Sequence, residues 1–210
     1  MAVFITFEGV DGAGKSTQLK LLLEHLESLG TEYLFTREPG GTPMAERIRD
    51  ILLTPAYSGM SVISEAFLFA AGRADHVNNV IRPALEAGKV VICDRYVDSS
   101  MVYQGYAGGM PLELLSAINE MATGSLKPHR TIVLDLAPEL ARERRAAIAA
   151  DRIEEKGEWF HQQVREAYQD LARAEPRRVK LVDASGSVES VQDHIRRLVD
   201  EVLPRPRPRG

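Results

Sequence analysis

The nine residues Gly9-Val10-Asp11-Gly12-Ala13-Gly14-Lys15-Ser16-Thr17 constrain this chain more than any other stretch, because they fit the phosphate-binding loop pattern G-x-x-x-x-G-K-[ST]. An apolar run, Val3-Phe4-Ile5-Thr6-Phe7, leads in as a buried strand, and an apolar-periodic run from Leu19 to Leu29 leads out as a helix. In that setting the glycines let the backbone wrap closely and turn its N–H groups toward phosphate oxygens. The helix N-terminus adds partial positive charge. Lys15 reaches the terminal phosphates as a point charge, and the Ser16 hydroxyl is a magnesium ligand. The stretch 9–17 therefore predicts a bound nucleoside triphosphate.

Strands and helices alternate along the rest of the sequence. Strands are expected at 32–36, 90–93, 131–136 and 179–183. Helices are expected at 43–53, 61–87 (ended or kinked by Pro83), 98–104, 111–122, from 139 to about 150, 158–174 and 188–203, with a Gly-rich turn at 105–109. This alternation implies a parallel sheet with helices on both faces and a ligand beyond the carboxyl ends of the strands. With 210 residues and no internal repeat, one domain over 1–203 is expected, and the Pro/Arg-rich residues 204–210 read as an extended, mobile tail. The formal net charge of −4 argues against general binding to nucleic acid or membrane surfaces. The lone cysteine, Cys93, excludes a disulfide framework and points to a core position in a reducing compartment. No targeting segment or bilayer-length apolar run is evident, so a cytoplasmic enzyme is expected.

The strand ending at Cys93 runs into Asp94-Arg95-Tyr96. A carboxylate there can hold magnesium facing the phosphate loop, and a guanidinium beside it can grip a second phosphate bidentately. Phe69 and Arg73 lie four residues apart, on one helix face. They suit stacking on a planar base and bonding to its edge, although a core Phe with a solvated Arg is the commoner reading of such a pair taken alone. Arg142, Arg144, Arg145 and Arg152 cluster between two helices. They read either as mobile positive charge for phosphoryl transfer or, with glutamates interleaved, as a solvated ion-paired helix.

Phe-Glu-Gly-Val-Asp-Gly-Ala-Gly-Lys-Ser-Thr-Gln (7 to 18), Thr-Arg-Glu-Pro-Gly-Gly-Thr (36 to 42), Phe-Ala-Ala-Gly-Arg (69 to 73), Asp-Arg-Tyr-Val-Asp-Ser-Ser (94 to 100), Tyr103-Gln104 and Asp-Arg-Ile-Glu (151 to 154) together resemble bacterial-type thymidylate kinase, in the right order over nearly the whole chain. The resemblance implies the α/β three-layer fold of P-loop nucleoside monophosphate kinases, with a five-stranded parallel sheet. It implies transfer of the ATP γ-phosphoryl group to dTMP with Mg2+, and a homodimer through packed helices. Under it, Phe69 stacks on thymine, Arg73 bonds the base edge, and Ser99, Ser100 and Gln104 complete the pocket. Tyr103 crowds the sugar 2′ position. Arg95 holds the dTMP phosphate with Glu38, Arg37 and Arg49, and Asp11 lies near the acceptor. Asp94 and Ser16 organise magnesium, and residues 139–158 form a lid. Gly12 stands where eukaryotic-type relatives carry a basic residue, so the missing charge is expected from the lid, with Arg144 the best match and Arg142 and Arg145 ambiguous.

The same scaffold could carry a different nucleoside monophosphate kinase, which Phe69, Arg73 and Tyr103 argue against. A nucleotide switch would usually add a guanine-reading Asn-Lys-x-Asp run, and none occurs.

Overall fold

The computed structural model describes residues 2–145 and 151–203. At its centre is β1 (Val3–Gly9), buried along its whole length. β2 (Tyr33–Arg37), β3 (Val90–Asp94), β4 (Arg130–Asp135) and β5 (Val179–Asp183) complete a five-stranded, all-parallel sheet in the order β2-β3-β1-β4-β5. The side-chain period of two splits the central strands between two cores. Val3, Ile5, Phe7, Val90 and Ile92 face one, and Phe4, Val91 and Cys93 face the other. Both faces are thus covered, as a parallel sheet requires.

Register brings the strand ends level. Arg37 and Phe7 both lie opposite Asp94, and Gly9 lies opposite Leu134. The chain leaves β1 toward β2 and β3 on one side and β4 and β5 on the other. The loop after β1 therefore sits where strand order reverses, where α/β sheets open a crevice for ligands.

The helices follow the expected punctuation. α1 (Lys15–Ser28) starts at the loop's Lys-Ser pair. α2 (Pro43–Leu53) is capped by Thr42, whose hydroxyl accepts from Ala45 N–H, with Pro43 at its first position. Ser61 caps α3 (Val62–His76) in the same way, accepting from Ser64 N–H. The expected single helix 61–87 is interrupted: α3 passes through a π turn, Val77–Ile81, into α4 (Arg82–Glu86). Pro83 has no N–H for the carbonyl four residues back, and the wider turn upstream absorbs that mismatch.

The expected helix 98–104 is α5 (Val97–Ser100) running on as a π turn, Met101–Tyr106, so Gly105 belongs to a helix and not to the Gly-rich turn. A Cβ at Gly105 would stand 2.6 Å from Leu112 Cδ2, which accounts for the glycine by close packing. α6 (Leu112–Thr123), α7 (Pro138–Arg144), α8 (Glu158–Ala174) and α9 (Val188–Asp200) complete the layers. Residues 146–150 of the expected lid and the expected tail at 204–210 lie outside the described residues.

Candidate active site

A cavity of about 600 Å³ opens above the carboxyl ends of β1, β2 and β3. On one side the phosphate loop supplies Asp11, Gly12, Gly14, Lys15, Ser16 and Thr17 to its wall. Gly9, Val10 and Ala13 lie outside the lining, but Gly9 and Val10 still matter. Their carbonyls accept from Lys15 Nζ at 3.1 and 3.2 Å, so the buried ammonium is folded back on its own loop. Burial lowers the Lys15 pKa, nearby Arg95 lowers it further, and Asp11 works the other way. Gly12 has φ +89, and a Cβ there would stand 2.2 Å from the Ala141 carbonyl. The missing side chain lets α7 seat directly on the loop and brings Arg144 and Arg145 to the cavity wall.

Arg95 divides this side from the other. Its backbone is left-handed, φ 70, a conformation that costs a non-glycine residue roughly 1–2 kcal/mol. The strain turns the guanidinium back over the sheet end, where Nη2 donates to Asp11 Oδ1 at 2.8 Å and Nη1 to Ser99 Oγ at 3.2 Å. Burial alone would raise the Asp11 carboxyl; Arg95 and Lys15 outweigh it and hold the group well below the usual range. The same buried pairing holds the Arg95 guanidinium charged. Arg95 also lies 5.2 Å over the Tyr103 ring, whose buried hydroxyl has no hydrogen-bond partner among the described residues.

Beneath Arg95 sits Glu8, fully buried. It accepts from Tyr96 N–H at 2.8 Å, from Tyr168 Oη at 2.7 Å and from Ser99 Oγ. Burial, with Asp98 nearby, pushes its carboxyl up to about 7 against the pull of Arg95. The sequence alone assigns Glu8 and Tyr168 no role. They hold Ser99, which in turn holds Arg95.

The far wall carries Phe69, half-buried, and Arg73, 2% exposed. Arg73 is not a solvated arginine. Nε donates to Glu38 Oε2 (2.7 Å), Nη1 to Asn119 Oδ1 (2.7 Å) and Ser100 Oγ (3.1 Å), and Nη2 to the Tyr96 carbonyl (3.1 Å). Of the five guanidinium N–H groups one is left for a ligand. Glu38, expected to work beside Arg95, is committed instead to Arg73 and, through Oε1, to His76 Nδ1 at 3.1 Å. Ser100 likewise acts through Arg73. Arg49 donates to the Pro39 carbonyl at 2.9 Å, and Arg37 pairs with Glu46 at the exposed rim. Gln104 reaches the cavity from the π turn.

The expected lid arginines divide. Arg144 and Arg145 line the cavity, the first donating to the Ala184 carbonyl at 3.1 Å and the second paired with Glu154. Arg142 does not. It is 72% exposed and pairs with Glu158, the solvated-helix alternative. Arg152 is the larger correction: it is buried, donates through Nε to the Leu52 carbonyl at 2.7 Å, and pairs with buried Glu65 at 2.6 Å. A guanidinium so held points into the protein, not toward a phosphate.

Among the described residues no cluster of three or more His, Cys, Asp or Glu could by itself hold a metal. Magnesium does not need one, since it commonly takes one or two carboxylates plus substrate phosphates. Asp94 fits that use: its buried Oδ1 has no partner among the described residues, and it shares the cavity wall with Ser16.

A family model described as thymidylate kinase matches residues 7–195. The thymidylate kinase of Symbiobacterium thermophilum is 70% identical over 205 residues, 98% of this chain and 96% of that protein. That of Syntrophotalea carbinolica is 48% identical over 198 residues, 91% of this chain and 92% of that protein. The crystal structure of thymidylate kinase from Ehrlichia chaffeensis superposes with a TM-score of 0.75 at 31% identity, covering 94% of this chain and 98% of that one.

Proposed function

The chain belongs to the thymidylate kinase family, and from that premise we propose how its residues divide the transfer of the terminal phosphoryl group of ATP to dTMP. The reaction is phosphorylation of dTMP to dTDP, a step toward dTTP. The observation that carries the division is one cavity with a phosphate loop on one wall and the Phe69–Arg73 pair on the other.

The backbone of the stretch 9–17 cradles the ATP phosphates, and Lys15 exchanges its carbonyl partners for them. Phe69 stacks on thymine, the remaining N–H of Arg73 meets the base edge, and Gln104 completes the pocket. Tyr103 lies where a ribose 2′-hydroxyl would intrude. Arg95 aims the acceptor phosphate, with Asp11 and Ser99 fixing its guanidinium and Arg37 and Arg49 adding charge at the rim. The acceptor oxygen is already anionic, so the work is positioning and charge neutralisation rather than proton removal. Arg144 and Arg145 supply the charge that Gly12 does not. Ser16 and Asp94 would hold magnesium, which when bound neutralises phosphate charge.

The chain acts as one kinase domain over 1–203 in the cytoplasm. A homodimer is supported by exposed apolar side chains on helices that pack side by side: Ile51 on α2, Ile63 and Phe67 on α3, Leu114 and Met121 on α6. No described helix is long and apolar enough to cross a membrane.

Purified protein given ATP, magnesium and dTMP is expected to form dTDP and ADP in equal amounts. Turnover of AMP or CMP without turnover of dTMP would overturn the assignment.

A further inference from the structure

Glu65, in the first turn of α3, is 1% exposed, and no step above uses it. Its carboxylate is ringed by donors. Gln104 Nε2 donates to Oε1 at 2.7 Å, Lys156 Nζ stands 3.1 and 3.2 Å from the two oxygens, and Arg152 Nη2 lies 2.6 Å from Oε2. None of these three can accept a proton's hydrogen bond from the carboxyl at those atoms, so protonation would gain nothing. Burial alone would raise the Glu65 pKa; Lys156, Gln104 and Arg152 outweigh it and lower it.

An ionised carboxylate only accepts. A carboxamide has one end that donates and one that accepts, so Gln104 must turn its NH2 to Glu65. The reverse orientation would set two acceptors against each other. Gln104 also lines the cavity, and its Oε1 has no protein hydrogen bond among the described residues, so the oxygen is the end left for a ligand. Thymine and uracil carry an imide N–H at ring position 3 that can donate to it. Cytosine has a bare acceptor nitrogen there.

We infer that Glu65 is a positioning residue for base selection: it locks the Gln104 amide with its oxygen toward the acceptor base, so the site takes pyrimidines with an imide N–H and rejects cytosine. The inference rests on the proposed base pocket of Phe69, Arg73 and Gln104. The lock is itself anchored. Arg152 is tied through Nε to the Leu52 carbonyl at the end of α2, and Lys156 lies 4.8 Å over the Phe160 ring on α8.

The test is kcat/KM for dTMP, dUMP and dCMP with ATP and magnesium, measured on wild type and Glu65→Gln with thermal melts of both. A carboxamide at position 65 can present either end to Gln104, which frees the Gln104 amide to turn over. The dTMP:dCMP ratio is expected to fall on the order of tenfold, the scale of one buried mismatched hydrogen bond. The dTMP:dUMP ratio is expected to stay within about twofold, because both bases carry the imide N–H. Glu65→Gln/Lys156→Met removes one cation with the carboxylate and carries the same expectation if the single variant does not fold. Equal losses for all three substrates, with the ratios unmoved, would make Glu65 a structural residue and overturn the inference. Wild-type protein that does not use dTMP would overturn the pocket assignment instead, a separate failure.

Discussion

The cavity holds Arg73 and Arg95 on one side, and Lys15 and Arg144 on the other, in different ways. On the acceptor wall, Arg73 is buried and fixed by Glu38, Asn119, Ser100 and the Tyr96 carbonyl, and Arg95 is fixed by Asp11 and Ser99. On the donor wall, Lys15 rests on the Gly9 and Val10 carbonyls with Asp11 at 3.6 Å, Arg144 rests on the Ala184 carbonyl, and Arg145 is paired with Glu154. A neutral carbonyl is a weaker partner for a cation than a phosphate oxygen is, so the carbonyl contacts of Lys15 and Arg144 can be exchanged when a triphosphate arrives. A guanidinium ringed by carboxylate, amide and hydroxyl at once has no such exchange available. The contrast separates two tasks. Under the proposed roles, recognition of the acceptor is pre-set by a polar network that leaves Arg73 one free N–H, whereas stabilisation of the transferring group draws on Lys15 and Arg144, held only by exchangeable carbonyl contacts and, for Lys15, a longer ion pair.

The largest expected effect strikes the donor wall. Lys15→Met keeps the buried stem and removes the charge, and kcat is expected to fall about a thousandfold, roughly 4 kcal/mol, with the chain still folded by circular dichroism. A variant retaining near-normal kcat would erase the division between the walls. A smaller effect belongs to the acceptor wall and to stability. The Glu8 carboxyl, pushed up to about 7 mainly by burial, keeps a proton that the unfolded chain releases. Its contribution is fully present below about pH 4.5 and is lost as pH rises through about 7, an effect on the order of 3 kcal/mol. Glu8→Gln is neutral throughout. Its stability relative to wild type, read from urea midpoints, is therefore expected to rise between about pH 5 and about pH 8. A difference that stays flat with pH would mean that Glu8 is ionised in the folded chain across that range.

The sheet and the phosphate loop were legible because their signals are contiguous: an apolar run, glycines at fixed offsets, Lys-Ser, then helical periodicity. Helix starts were legible for the same local reason, as Thr42-Pro43 and Ser61 illustrate. What escaped was pairing across the chain. Glu8 meets Tyr168 across a separation of 160 residues, and Glu65 meets Lys156 across 91. A buried Glu announces itself only once its donors are in place. Arg152 sorts with the lid in the sequence because a run of arginines looks alike whether the side chains are free or buried. The π turns at Val77–Ile81 and Met101–Tyr106 escaped as well, since neither follows the 3.6-residue period. The second of them is the turn that carries Tyr103 and Gln104 to the cavity.

The division between the walls is tested most directly by titrating dTMP, without ATP, into wild type and into Arg144→Ala/Arg145→Ala by calorimetry, with kcat measured on the same preparations and Arg142→Ala as the control. The double variant is expected to bind dTMP within about twofold of wild type while kcat falls about a hundredfold, and Arg142→Ala, whose side chain is 72% exposed, is expected to change neither. A loss of dTMP affinity matching the loss of kcat would place these arginines in acceptor recognition and contradict the account.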